Sequence, residues 1–126
     1  MAGRVATEAD IPWISERVRQ KQQWLELGEF DPSYVADAIQ SSNVVTDGKS
    51  VILGMECPIV SSGAPAVNQA WFWDGKQTSF NMLAEHEASS DLPSLISVPW
   101  KHERREALMR ALQRRGYRPF EILMVQ

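Results

Sequence analysis

One cysteine, two histidines and no long apolar run set the first limits on this 126-residue chain. A lone Cys57 excludes an intramolecular disulfide framework, and its place in the apolar run from Val51 to Val60 predicts a buried, reduced thiol. His86 and His102 are the only imidazoles, so with one thiol they cannot assemble the four N/S ligands of a structural zinc site, and no metal is expected. Glu85-His86-Glu87 sits in polar surroundings and reads as an exposed helix end. The serine pairs at 41–42, 61–62 and 89–90 all fall in turn-like text, which leaves no nucleophile beside a base and an orienting acid. No stretch approaches the roughly 20 apolar residues that span a bilayer, and Met1-Ala2-Gly3-Arg4 opens without a signal-like segment. That pattern predicts a cytoplasmic protein, or a virion component if phage-encoded, with no membrane partner.

What is present is a core. Hydrophobic residues make up 44% of the chain and include five Trp and four Phe, enough to bury one compact domain over residues 1–126. Charge is divided unevenly: residues 1–100 hold six Lys/Arg against thirteen Asp/Glu, whereas 101–126 hold seven against three. The basic C-terminal stretch permits an anionic ligand or an acidic partner, although basic residues on a helix commonly form a solvated face. Nucleic-acid binding there, through Arg104, Arg105, Arg110, Arg114, Arg115 and Arg118, ranks third among the readings, because Glu103 and Glu106 dilute the patch and the pI is 5.4.

Periodicity gives the element order. Arg4-Val5-Ala6 is a strand, and Thr7-Glu8-Ala9-Asp10 has the form of a helix cap, followed by Pro12 in a tolerant first turn and Ile11, Ile14, Val18 and Leu25 at helical spacing. Gly28 is the expected stop, and Asp31-Pro32 opens a second helix through Val35, Ala38 and Ile39. Val44-Val45-Thr46 and the run 51–60 flank Asp47-Gly48, a hairpin signal, with Pro58 at an edge, a bulge or a splay. After the loop 61–65, Ala66 to Trp73 forms a third strand closing at Asp74-Gly75. A helix over Gln77 to Ala88, a strand at Leu95 to Val98, a helix from Lys101 to Arg115 stopped by Gly116, and a last strand from Phe120 to Val125 complete the order β-α-α-β-β-β-α-β-α-β. This is an α+β (mixed α/β) domain.

That order, with Arg4-Val5-Ala6-Thr7-Glu8-Ala9-Asp10-Ile11-Pro12 at its start and Ala107-Leu108-Met109-Arg110-Ala111-Leu112-Gln113-Arg114-Arg115-Gly116-Tyr117 near its end, resembles the GNAT superfamily of N-acetyltransferases. The resemblance implies a central, mostly antiparallel sheet flanked by helices, and a cleft where strands part. It also implies an acyl-CoA pyrophosphate loop of the form Gln/Arg-x-x-Gly-x-Gly/Ala, whose small residues let main-chain N–H groups approach the anion. The sequence departs from the family here, since no two of its seven glycines are separated by a single residue. Two registers remain open. In the favoured one, Gln69 to Trp73 precedes the loop position and 74–88 replaces the loop with unrelated text. In the other, Val98-Pro99 begins the motif and His102 to Ala107 stands in its place, with Arg104 and Arg105 as substitute phosphate ligands. Under the favoured register the family's general-acid Tyr falls on Leu112, and Arg105 stands near the place often held by Asn.

Two functions follow. The first is a GNAT-like protein without its acetyl-CoA loop and without a cofactor. It would act by binding a protein partner or its own copies, as an accessory or assembly body that resembles in outline motif-less components of phage particles. Its surface would be aromatic: Trp71 and Trp73 on one face of a strand, extended by Trp100, unless Trp71-Phe72-Trp73 is buried on both faces. The alternative is a divergent acetyl-CoA-dependent N-acetyltransferase. There Trp71, Phe72 and Trp73 present main-chain groups to the donor and His102 or Tyr117 moves the proton, although a Tyr after a helix-stopping Gly commonly packs with its hydroxyl bonded.

Overall fold

A computed structural model describes residues 3–26, 28–60, 62–73, 80–121, 123–124 and 126. It is a mixed α+β architecture: a five-stranded open sheet, mostly antiparallel, with four helices among the described residues. The chain runs β1 (Arg4–Val5), a 3-10 turn (Glu8–Asp10), α1 (Ile11–Leu25), α2 (Ser33–Gln40), β2 (Val44–Thr46), β3 (Val51–Cys57), β4 (Val67–Trp73), α3 (Leu83–Ala88), β5 (Ser94–Ile96) and α4 (Arg105–Arg114). Strands lie in chain order, antiparallel except for the parallel pair β4 and β5. No helix is long and apolar enough to cross a membrane among the described residues.

The entry to α1 is built on one carboxylate. Asp10, only 7% exposed, accepts the Thr7 main-chain N–H at 2.9 Å, the Trp13 indole N–H at 3.0 Å and two Arg4 guanidinium bonds at 2.9 and 3.1 Å. The Arg4 bonds, ahead of those from Thr7 and Trp13, hold its pKa far below the ordinary carboxylate range despite burial. Helix α1 ends earlier than expected, because Glu26 itself takes the left-handed conformation (φ 58°), two residues before Gly28. At the β2–β3 hairpin, Asp47 Oδ1 accepts the Lys49 and Ser50 N–H groups at 2.8 and 2.7 Å, and Gly48 sits at φ 90°.

Alternation along β2 and β3 divides the core into two layers. Val44, Val51 and Leu53 face α1 and α2, joining Ile14, Val18, Val35 and Ile39, while Val45 and Ile52 face the other way toward Met82, Leu83 and Leu112. Both faces are covered, which is why these strands read as continuous apolar runs. β3 stops at Cys57, short of the expected Val60, because Pro58 has no N–H to continue a ladder. Cys57 is therefore half-buried at a strand end, with its thiol directed to Gln69 Oε1.

The C-terminal expectations need correction. Helix α4 starts at Arg105 rather than Lys101, because the His102 ring accepts the Arg104 N–H at 3.1 Å and holds a turn instead. The last strand is not formed among the described residues of 118–126: Phe120, Leu123 and Met124 are exposed and no strand pairs with them. β-Propensity without a partner ladder does not make a strand. Ile122 and Val125, the closing turn at Asp74-Gly75 and the start of the helix at 77–79 lie outside the described residues.

Candidate functional site

The site begins where β4 and β5 part. They pair at Asn68 with Ser94, Gln69 with Leu95 and Ala70 with Ile96, and no further. Across the sheet, Ala70 pairs with Gly54 and Phe72 with Leu53, leaving Trp71 as an extra residue in a β-bulge. This bulge overturns the expectation that Trp71 and Trp73 share a face. Phe72 and half-buried Trp71 pack toward α1 and α2, whereas Ala70 and Trp73 pack on the opposite layer. The Trp73 indole, 2% exposed, reaches across the gap and donates to the Ser97 carbonyl at 2.9 Å, and Gln69 Nε2 reaches Ser97 Oγ at 3.3 Å. Side chains thus tie the parted strands together.

The expected proton carriers are already engaged. Tyr117 donates its hydroxyl to Glu87 Oε2 at 2.7 Å, and burial, aided by Glu87, pushes its pKa up to about 12. Arg115 also bonds Glu87, at 2.7 and 3.3 Å. Although burial alone would raise the Glu87 carboxyl, Arg115 and Tyr117 hold it below its ordinary value. His102 accepts a main-chain N–H through Nδ1 and lies in a groove that Tyr117 does not line. Arg105 stacks over the exposed Trp100 ring at 3.8 Å and donates to its carbonyl, so these two occupy each other, while Arg104 precedes α4 at the surface.

His86 is a second correction, being 0% exposed rather than at the surface. Helix α3 seats it against β3, where Gly54 makes room: a Cβ there would lie 3.1 Å from the His86 ring and 2.3 Å from Asn43 Oδ1. Around it Asn43, Asn68 and Ser89 bond one another at 2.8 to 3.4 Å, yet neither His86 ring nitrogen has a hydrogen-bond partner. Burial lowers its pKa, against smaller opposite contributions from the Asn68 main chain and Glu87.

The open concavity lies on the α1 side of the parted strands. It is a groove of about 500 Å³ whose walls are Arg17, Gln20, Lys21 and Trp24 of α1, the β4 end at Phe72 and Trp73, and Pro99 to Glu103 without Trp100. Lys21 Nζ stands 5.1 Å from the Phe72 ring centre and Lys101 Nζ 5.4 Å from that of Trp24, while Arg17 lies 5.3 Å from Trp13. Sequence reasoning found Phe72, Trp73 and His102 but missed the α1 wall, although Arg17, Lys21 and Trp24 recur at helical spacing and mark one stripe. Among the described residues no group of His, Cys, Asp and Glu is placed to hold a metal ion. No family model, curated protein or solved structure matches this chain.

Proposed function

We propose that this chain is an acetyltransferase-like protein that works by binding rather than by acyl transfer, as an accessory or assembly body. The observation that carries the reading is the Trp73 indole spanning β4 and Ser97, which puts an aromatic ring where a GNAT-like layout would need a slot for its acyl carrier. Two further features support it. The Tyr117 hydroxyl is committed to Glu87 and the His102 ring to Arg104, so neither is poised to exchange a proton with a substrate. The cationic, aromatic groove beside the plugged slot supplies a concave surface on which a ligand could be held without chemistry.

Calorimetric titration of acetyl-CoA into the full chain tests this. No heat of binding is expected up to millimolar donor. Micromolar binding that charge reversal at Arg104 and Arg105 abolishes, or transfer of a radiolabelled acetyl group to any amine, would refute it.

A further inference from the structure

We infer that the groove between α1 and residues 99–103 docks a short acidic peptide segment of a partner protein, with carboxylates flanking an apolar side chain. This rests on the binding reading above and names the partner's chemistry. The chain carries a net charge of −3, yet the groove is lined by Arg17, Lys21 and Lys101 against the single carboxylate of Glu103. These cations are pinned on neutral groups. Arg17 donates to the Lys49 carbonyl at 2.9 Å, Lys21 to the Trp73 carbonyl at 3.4 Å and Lys101 to the Trp24 carbonyl, each with its charge over an aromatic ring. Carbonyls and rings orient a cation without cancelling its formal charge, so little side-chain entropy is left to lose on binding an anion. Lys101 also faces Glu26 at 4.0 Å, but that carboxylate is 84% exposed and competes weakly.

The floor sets the rest of the ligand. Trp24 and Phe72 offer apolar area that a bare anion would not use. From Arg17 to Trp24 the helix rises about 10 Å, the span of roughly three extended residues. A nucleic acid gains affinity from many phosphate contacts and needs a longer basic track than three cations provide. An acid–apolar–acid tripeptide matches both the length and the alternation of charge and ring.

The test is an NMR titration of the 15N-labelled full chain with acetyl-Glu-Phe-Glu-amide, its isosteric Gln-Phe-Gln analogue and ADP. The Trp24 indole N–H is the reporter, and the other four indoles monitor the fold. The acidic peptide is expected to move the Trp24 signal and to bind about tenfold more tightly than the Gln analogue. Lys101→Glu and Lys21→Gln are each expected to weaken it by about tenfold with the other indole signals unchanged. Equal binding of the two peptides, no shift at Trp24, or indifference to both substitutions would overturn the inference. So would ADP binding more tightly than the peptide at the same residues. Acetyl-CoA binding in the calorimeter would end the non-catalytic reading instead, and does so independently of the peptide result.

Discussion

Replacing His86 with leucine should stabilise the protein, against the usual direction of core substitutions. The imidazole is fully buried with one donor and one acceptor nitrogen lacking partners, and each such group costs about 1–3 kcal/mol. An apolar side chain of similar size removes both costs, and an imperfect shape fit returns about 1 kcal/mol of the gain. The net expectation for His86→Leu is about 2 kcal/mol, or roughly 8 °C in Tm for a domain of this size. The gain should also depend on pH. Burial keeps the folded ring's pKa below its ordinary 6.5, so on acidification the unfolded chain takes up the proton first. Wild-type stability then falls by about 1.4 kcal/mol per pH unit below 6.5 while the folded ring stays neutral, and the variant escapes this loss. Urea unfolding of both proteins at pH 7.5 and 5.5 measures the two effects together. A variant less stable than wild type at pH 7.5, or a difference that does not widen at pH 5.5, refutes the reasoning.

Other substitutions test the remaining joints. Asp10→Ala strands the buried Trp13 and Thr7 donors, and with Arg4 half-exposed it should cost about 3 kcal/mol, read as a fall of roughly 12 °C in Tm. Because the folded Asp10 carboxyl titrates below its unfolded range, its contribution is complete above about pH 4 and fades as the pH falls further, so wild type and variant should converge in acid. Gly54→Ala places a methyl 2.3 Å from Asn43 Oδ1, which Asn68 and Ser89 hold in place, and should cost about 2–3 kcal/mol by chemical denaturation.

The most local features were the most legible. Thr7 to Asp10, Asp47-Gly48 and Val44-Val45-Thr46 each carry their conformation in a few neighbouring residues, and the structure places a helix entry, a hairpin and a strand there. The sheet's middle was readable for the same reason, since uninterrupted apolar runs require two covered faces. What depended on distant partners was not. Trp71 bulges because Gly54 and Leu53 pair around it, a relation between two strands that alternation within one cannot reveal. His86 is flanked by two glutamates and looks solvated, yet the missing side chain at Gly54 admits its ring. The segment after Gly116 has strand-like composition but no described ladder to join. The groove was half visible, because its β4 aromatics stand out in the sequence whereas its α1 wall becomes a wall only when residues 99–103 fold against it.

The surplus residue in β4 also fixes a phase. Counted against its neighbour, the ladder skips position 71, so removing Trp71 would leave Phe72 and Trp73 on their present sides, whereas ironing the strand flat with all residues kept would exchange them. One uncounted position decides which aromatic ring looks toward the lysine of α1 and which clasps Ser97.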